Sequence, residues 1–230
     1  MLHHVHVGRL LACGPAHNWP KRSGSGFAYR VDDSSPLDDR IKFGRTTMMP
    51  SDTPPPQPTP ISFSFTSTCD LYDTVLDLAR VPSGLRWRSY GKIERFAGRV
   101  VTVQCAADNS RIKETLASPP PQQQPSVLVV DGSGSQQRCA LIGDQIAQSA
   151  IDNGWAGIVI VGCVRDVEIL EMMNIGIVAL GSTPRKSTRR GEGQVNERIQ
   201  VGECQVNPGD VVFVDRNGVL FLDPSDVPAA

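Results

Sequence analysis

Short apolar runs separated by polar segments dominate the middle of the chain. The runs at 98–105, 126–132, 157–161 and 175–180 are rich in Val and Ile. Runs of this length and composition are typical of buried β-strands. The sequence therefore predicts a sheet whose strands come mainly from the central part of the chain.

The segments around these runs carry apolar residues at helical spacing or begin with residues that cap helices. They predict helices at 66–79, 108–117, 143–153 and 166–174. Asp108 and Asn109 are candidate caps for the second helix, and Gly154 is a candidate stop for the third. The alternation of strands and helices predicts an α/β fold with a central βαβ unit.

The last part of the chain has a different pattern, with two apolar runs separated by a polar turn. Residues 209–223 predict a C-terminal β-hairpin that turns at Asn217-Gly218, because this dipeptide favours two-residue hairpin loops. Antiparallel strands are therefore expected at the end of the chain.

Residues 1–60 differ in composition from the rest. No acidic residue precedes Asp32, and acid-poor, arginine-containing N-termini are typical of mitochondrial targeting segments. A disordered tail, or a translation start at Met48 or Met49, is the alternative interpretation. Residues 51–60 form a proline-rich linker, which excludes a helix or a central strand there.

The chain is accordingly divided into this extension over 1–60, a folded domain over 61–225 and a tail over 226–230. We expect a cytoplasmic protein, or a mitochondrial one if the extension is a transit peptide. No apolar run approaches the roughly 18 residues that a membrane span requires, so no membrane association is expected. The formal net charge of -1 argues against direct binding of nucleic acid through phosphate neutralisation.

The placement of cysteine and histidine limits the chemistry. The six cysteines contain no Cys-x-x-Cys pair, which argues against a zinc ribbon or a redox dithiol. All four histidines lie within the first seventeen residues, outside the predicted domain. A Ser-His-Asp triad or a histidine-ligated metal is therefore not expected, and carboxylates would favour Mg²⁺ or Mn²⁺.

An Arg165-Asp166 pair follows three residues after a predicted core strand that ends at Val161. In a right-handed βαβ unit, the end of the first strand at Asp131, the helix start at Gly143-Asp144 and the loop after the second strand meet at one edge. Open α/β sheets usually bind ligands at this edge. The sequence therefore predicts a crevice where Asp144 faces the Arg-Asp pair.

The residue types at this edge suit a small 2-oxo acid. Asp144 and Asp166 can hold a hard divalent cation through water, and Arg165 offers a planar fork to a carboxylate or keto oxygen. The N–H groups near Gln145 and Ile146 favour an anion, and an enolate would be stabilised there. The alternative interpretation is a loop ion pair beside an aspartate that only caps its helix.

Three blocks of the sequence, in order, carry a resemblance to a known family. They are "VLVVDGSGSQQRCALIGDQIAQSAIDNGWAGIVIVGCVRDVE" (127–168), "IGIVALGSTPRKSTRRGEG" (175–193) and "GDVVFVDRNGVLF" (209–221). The chain resembles the RraA-like family over about 63–223. That family comprises regulators of ribonuclease E activity and class II 4-hydroxy-4-methyl-2-oxoglutarate aldolases.

The resemblance implies a layered β/β/α fold like the swivelling phosphohistidine domains, assembled as a homo-trimer or as a hexamer of two trimers. It implies a metal-dependent lyase that releases pyruvate from 4-hydroxy-4-methyl-2-oxoglutarate-type or 4-carboxy-4-hydroxy-2-oxoadipate-type substrates, with oxaloacetate decarboxylation as a side activity. The implied cofactor is Mg²⁺ or Mn²⁺.

The resemblance also implies roles for individual residues. Asp166 would ligate the metal, Asp144 would hold a water on it, and Arg165 would bind and polarise the keto acid. The substrate carboxylate would be held at the helix start, by Gly143, Gln145 and Ile146.

A second function stays open beside the lyase, as does a scaffold that has lost the enzyme activity. Family members that regulate a ribonuclease or an RNA helicase act as binding proteins, and aldolase members usually have an acid where this chain has Ile169, with Glu168 one position earlier. The basic stretch 184–190 is expected to be a solvated loop or part of such a binding surface. A methyltransferase is not indicated, because no glycine-rich nucleotide loop with a following acidic residue is present.

Overall fold

The structure is a computed structural model that describes residues 63–121, 124–133 and 138–228. The predicted extension over 1–60 and its proline-rich linker lie outside these residues, as does the end of the predicted tail. Their predicted roles stay predictions. Across the described ranges, no helix is long and apolar enough to cross a membrane.

The helices and strands alternate through the middle of the chain, as the apolar pattern predicts. The helices are α1 (Thr68–Val75), α2 (Ser110–Leu116), α3 (Asp144–Asp152) and α4 (Val167–Leu170), with short 3-10 helices at Leu76–Leu78 and Pro224–Asp226. The strands are β1 (Arg88–Ser89), β2 (Phe96–Gln104), β3 (Ser126–Asp131), β4 (Ala140–Ile142), β5 (Gly157–Val164), β6 (Gly176–Ser182), β7 (Gln194–Val195), β8 (Ile199–Val201), β9 (Cys204–Val206), β10 (Val211–Asp215) and β11 (Gly218–Leu222).

A nine-stranded sheet forms the centre of the fold, with the main strand order β1-β6-β5-β3-β2-β10-β11. The four central strands β2, β3, β5 and β6 are parallel, and the β10–β11 hairpin joins the sheet antiparallel to β2. Strands β8 and β9 form a separate two-stranded sheet. The predicted α/β class is therefore confirmed as a mixed α/β fold.

The central strands are buried on both faces, which explains their continuous apolar sequence. Leu128 and Val130 of β3 face a core that includes apolar residues of α2 and α3, whereas Val127 and Val129 face the opposite way. That second core also receives side chains from β8 to β11. Because β10 and β11 belong to the same sheet, the sheet must curl toward this face.

The C-terminal hairpin is present, but its predicted turn is wrong by one residue. Asp215 pairs with Gly218, so the loop consists of Arg216 and Asn217 and Gly218 already begins β11. The buried Asp215 carboxylate accepts a hydrogen bond from the Asn217 N–H at 2.8 Å. It also accepts bonds from the N–H and Oγ1 of Thr68, so a tertiary contact fixes the turn position.

Strand β4 is the main element that the sequence pattern did not predict. It lies parallel to the end of β5, with Ala140 paired to Cys163 and Ile142 paired to Val164. Helix α3 begins two residues after this strand ends. The start of α3 is therefore fixed directly at the carboxyl edge of the sheet. The fourth predicted helix, at 166–174, is shorter in the structure, because α4 covers Val167–Leu170 alone.

Two paired glycines allow an aromatic ring to pack flat against the sheet. Gly157 and Gly176 are partners on β5 and β6, and a Cβ on either would collide with the buried ring of Phe96. We expect Gly176→Ala to lower the free energy of unfolding by ~1–3 kcal/mol, because the added methyl overpacks this contact. Urea unfolding of the variant and the wild type measures this loss of stability.

The collision predicts coupling between the two positions. In a Phe96→Leu background, Gly176→Ala should cost less than in the wild type, since the smaller side chain leaves room for the methyl. A full, additive cost in the double variant would show that the glycine is required for another reason.

Candidate active site

A cleft of about 90 Å³ lies at the carboxyl edge of the sheet, where β4 leads into α3 and β5 leads into α4. All six residues proposed from the sequence line it: Gly143, Asp144, Gln145, Ile146, Arg165 and Asp166. Asp131 ends β3 at the same edge, but its side chain is buried. Its carboxylate accepts hydrogen bonds from Ser133 and Gln104. The structure therefore brings together the residues of α3 and of the loop after β5.

Asp166 adopts an uncommon backbone conformation that turns the chain sharply after β5. Its φ of 58° and ψ of 38° are left-handed, and its carbonyl accepts hydrogen bonds from the N–H groups of Ile169 and Leu170 in the first turn of α4. A non-glycine residue in this region is a local strain, although Asp tolerates it better than most. The turn directs the Asp166 side chain toward the start of α3.

Gly143 leaves the space into which this side chain fits. A Cβ at Gly143 would lie 2.5 Å from Oδ2 of Asp166 and 3.0 Å from Cγ of Arg165. The backbone at Gly143 is extended, so its φ does not require glycine. Glycine is needed there because two side chains from the neighbouring loop pack against the backbone.

Arg165 and Asp166 form an ion pair within the cleft. The Arg165 Nε donates to Oδ2 of Asp166 at 2.9 Å, with both side chains partly buried. This hydrogen bond is the main reason that the pKa of Asp166 lies below its ordinary value. The positive charge of Arg165 and a hydrogen bond from the Asp144 backbone also lower that pKa, and they together outweigh burial, which raises it. Asp166 is therefore a carboxylate at neutral pH.

One of the two predicted anion-binding amides already has a partner. The N–H of Gln145 donates to Oδ1 of Asp144 at 2.7 Å. A substrate carboxylate would have to displace the Asp144 side chain to reach it. Such a displacement would free the Asp144 side chain to hold a metal-bound water, which is the role predicted for it.

Sequence reasoning missed four polar residues that line the cleft. Asn109, Lys186, Ser187 and Arg189 line it, although 184–190 was predicted to be a solvated loop or a partner surface. Asn109 was also predicted to cap α2, but its side chain makes no capping bond and its Nδ2 donates to the Leu141 carbonyl at 3.1 Å. Nothing in the local pattern pointed to the cleft, because long-range folding brings these residues there.

The carboxylates of the cleft fit a divalent cation only if other ligands complete its shell. Asp144 and Asp166 are adjacent there, and the described residues contain no group of three His, Cys, Asp or Glu side chains that could hold a metal. Glu168 and Ile169 line an adjoining open groove beside α4, which shares Arg165 and Asp166 with the cleft. Mg²⁺ commonly binds one or two carboxylates and keeps several waters, so two are enough.

The ion pair gives a measurable expectation for Asp166. In Arg165→Met, the pKa of Asp166 should rise toward its ordinary value, because the hydrogen bond that lowers it most is lost. A carboxyl whose pKa is depressed by folding stabilises the fold above about pH 4 and loses that contribution as the pH falls through its folded pKa. The stability difference between wild type and variant should therefore shrink in acid.

A ¹³C NMR titration of the aspartate carboxyl groups measures this shift. Arg216→Met is the matched control, because it breaks an exposed pair with Glu94 that lies outside the cleft. An Asp166 pKa that stays the same in Arg165→Met would contradict the assignment.

Several known proteins are similar to this chain in sequence or in fold. A protein of Alcanivorax borkumensis with the provisional name 4-hydroxy-4-methyl-2-oxoglutarate aldolase is 48% identical over 153 residues, which cover 66% of this chain and 93% of that protein. A Geobacillus kaustophilus structure titled S-adenosylmethionine: 2-dimethylmenaquinone methyltransferase is 39% identical, with a TM-score of 0.65 and coverage of 69% and 95%.

The structure of the RNA-processing inhibitor RraA from Thermus thermophilis is 36% identical and has a TM-score of 0.64. It covers 73% of this chain, and the match spans 96% of that chain. The model of the RraA-like family, described as Aldolase/RraA, matches residues 68–221. This match includes the whole cleft, and the chain belongs to the RraA-like family.

Proposed function

We propose that this protein is a divalent-metal-dependent lyase. It cleaves 4-hydroxy-4-methyl-2-oxoglutarate-type substrates to pyruvate by a retro-aldol reaction, and it decarboxylates oxaloacetate. The observation that carries the proposal is the single cleft in which Arg165 and Asp166 lie against Gly143, beside Asp144 at the start of α3.

Arg165 is the residue that binds the 2-oxo acid. Its Nε is engaged by Asp166, and within the described residues its two terminal nitrogens have no hydrogen-bond partner. Those nitrogens present two parallel donors to a carboxylate and a keto oxygen. The start of α3, at Gly143 and Ile146, adds the positive end of a helix for the same anion.

The reaction requires removal of one proton and stabilisation of one enolate. The 4-hydroxyl proton passes to Asp144 through a water, the C3–C4 bond breaks, and its electron pair forms the enolate of pyruvate. The guanidinium of Arg165 stabilises the negative charge on the enolate oxygen. Protonation at C3 then gives one pyruvate, and C4 becomes the carbonyl carbon of the second.

Asp166 and Asp144 are the residues that would hold Mg²⁺ or Mn²⁺. A bound ion would act as a Lewis acid that polarises the 2-oxo group. The lowered pKa of Asp166 supports this role, because a metal ligand must be deprotonated. The hydrogen bond from Arg165 keeps Asp166 in this deprotonated form.

The proposal also includes the type of layered fold, the assembly and the location of the protein. Helices on one face of the central sheet and strands on the other support a comparison with the swivelling phosphohistidine domains. From the family resemblance and the composition, we infer that the protein is a homo-trimer or a pair of trimers and lies in the cytoplasm.

Regulation of a ribonuclease or an RNA helicase is the second candidate function. The similarity to a protein titled RNA-processing inhibitor favours it, as do two apolar side chains on and beside α4, Ile169 and Met172, which are 46% and 73% exposed. Binding of purified ribonuclease E-like nuclease or helicase to the immobilised protein tests it. Loss of that binding in Ile169→Lys would support regulation, and no binding by the wild type would count against it.

The primary test is pyruvate release from 4-hydroxy-4-methyl-2-oxoglutarate and from oxaloacetate, with Mg²⁺, with Mn²⁺ and with EDTA. We expect activity that needs the metal and falls by about 10²–10³-fold in Asp166→Asn, because the ion-binding carboxylate is lost. Asp152→Asn is the matched control, since Asp152 lies at the other end of α3 and outside the cleft. Equal activity in Asp166→Asn and wild type would refute the proposal.

Asp144 should matter more for one reaction than for the other. Decarboxylation of oxaloacetate breaks a C–C bond to release CO₂ and needs no base to remove a hydroxyl proton. We therefore expect Asp144→Asn to reduce kcat for aldol cleavage at least tenfold more than kcat for decarboxylation. Equal losses in both reactions, measured by pyruvate release, would assign Asp144 to metal binding alone.

A further inference from the structure

Part of the cleft lining is carried by a loop that contributes nothing to the apolar cores of the described structure. Lys186, Ser187 and Arg189 line the cleft from the loop 183–190, whereas no residue between 181 and 193 belongs to one of the three cores. Burial of apolar surface therefore does not fix this loop. Its position depends on hydrogen bonds to the rest of the fold.

We propose that Asp108 is the positioning residue that holds the loop 183–190 against the start of α2. Asp108 does not line the cleft itself, whereas its neighbour Asn109 and three residues of the loop do. It therefore acts on the reaction only through the groups that it keeps in place. This inference rests on the proposed function, because the position of the loop matters for turnover only if the cleft binds the substrate.

Backbone hydrogen bonds hold the first part of the loop. The Ala140 N–H of β4 donates to the Arg185 carbonyl at 2.8 Å, and the Thr188 N–H donates to the Ala107 carbonyl at 2.7 Å. The Asn109 N–H in turn donates to the Thr188 carbonyl at 3.2 Å. The loop is therefore attached to β4 on one side and to the segment before α2 on the other.

Asp108 supplies the bonds at the end of the loop. Its fully buried carboxylate accepts hydrogen bonds at Oδ2 from the Thr188 hydroxyl, at 3.0 Å, and from the Arg190 N–H, which has no backbone acceptor among the described residues. Its Oδ1 accepts from the Ser110 N–H at 2.8 Å, and the Ser110 hydroxyl accepts from the Gly191 N–H at 3.0 Å. One carboxylate therefore ties the end of the loop to the first turn of α2.

The carboxyl group of Asp108 is ionised at neutral pH. Burial raises its pKa, but hydrogen bonds from Ser110, Arg190 and Thr188 outweigh burial and lower the pKa to about 2. Hydrogen bonds to an ionised acceptor are stronger than those between neutral groups. Because the pKa is lowered by folding, this stabilisation is fully present above about pH 4 and is lost as the pH falls toward the folded pKa. The anchor is therefore intact near neutral pH.

Capping of α2 alone does not account for these contacts. A cap needs one oxygen, and Oδ1 of Asp108 already satisfies the Ser110 N–H at the start of the helix. The other oxygen is bonded to residues about 80 positions away in the sequence. A capping role predicts a change in α2 alone when Asp108 is replaced, whereas the positioning role predicts a change in the loop.

Hydrogen exchange of the backbone amides tests the anchor without turnover. In Asp108→Asn, one oxygen becomes an NH₂ group that cannot accept a hydrogen bond, and the remaining oxygen loses its charge. We expect peptides that cover residues 188–191 to exchange about tenfold faster in this variant of the full-length protein than in the wild type, because the loop opens more often. Mass spectrometry of peptic fragments measures the rate.

Asp215→Asn is the matched control. Asp215 is also buried, and its carboxylate also accepts hydrogen bonds from a threonine hydroxyl and from backbone N–H groups, but these belong to Thr68 and Asn217, outside the cleft. We expect this control to lose stability in urea while exchange at 188–191 stays at the wild-type rate. Wild-type exchange in Asp108→Asn, or equal acceleration in both variants, would overturn the proposal.

Steady-state kinetics separate positioning from chemistry. No residue of the loop 183–190 takes part in the bond breaking proposed above. We therefore expect Asp108→Asn to raise KM for 4-hydroxy-4-methyl-2-oxoglutarate about tenfold, while kcat falls less than about threefold, and Asp215→Asn to change neither. A fall confined to kcat, or the same rise of KM in the control, would contradict a positioning role.

Thr188→Val is the second variant, should Asp108→Asn fail to fold. It removes the hydroxyl that donates to Asp108 and to the Ala107 carbonyl, and it keeps the two backbone bonds of residue 188. We expect faster exchange in the same peptides, by a smaller factor, and an unchanged rate would overturn the anchor. The proposed function fails separately: without pyruvate release by the wild type the lyase is refuted, whereas faster exchange would still assign the loop anchor to Asp108.

Discussion

The close approach of Asp166 to the backbone of Gly143 is the contact on which the cleft depends. It requires a left-handed residue two positions after β5, a glycine directly after β4 and a hydrogen bond from Arg165. Each condition fixes a different element against the others. The result is a carboxylate that is charged, oriented and next to the start of α3.

The sheet supplies the rigid frame for that contact. Strand β4 pairs with the last residues of β5, so the starts of α3 and α4 are held side by side by backbone hydrogen bonds. The same edge anchors the loop 183–190, through Ala140 on one side and Asp108 on the other. A site on such a frame is preorganised, and it can distinguish ligands by where their charges and donors lie.

Much of this arrangement follows from local sequence signals. The central parallel strands are apolar on both faces, and α3 starts and stops near its predicted positions, so the βαβ argument placed Asp144 beside Arg165 and Asp166. Strand β4 escaped prediction because three residues are too few for a periodic signal. The hairpin turn was displaced by one residue because Thr68, far away in sequence, binds Asp215.

The sequence by itself determined the mixed α/β class, the family and the residues at the ends of β5 and at the start of α3, because apolar periodicity and adjacent motifs are local properties. Tertiary structure alone decided that Asn109 and the loop 183–190 line the same cleft, since hydrogen bonds between segments about 80 positions apart bring them there. The left-handed turn at Asp166 was likewise decided by packing. Local composition describes these segments as a helix cap and a solvated loop, and long-range contacts convert them into a wall of the site.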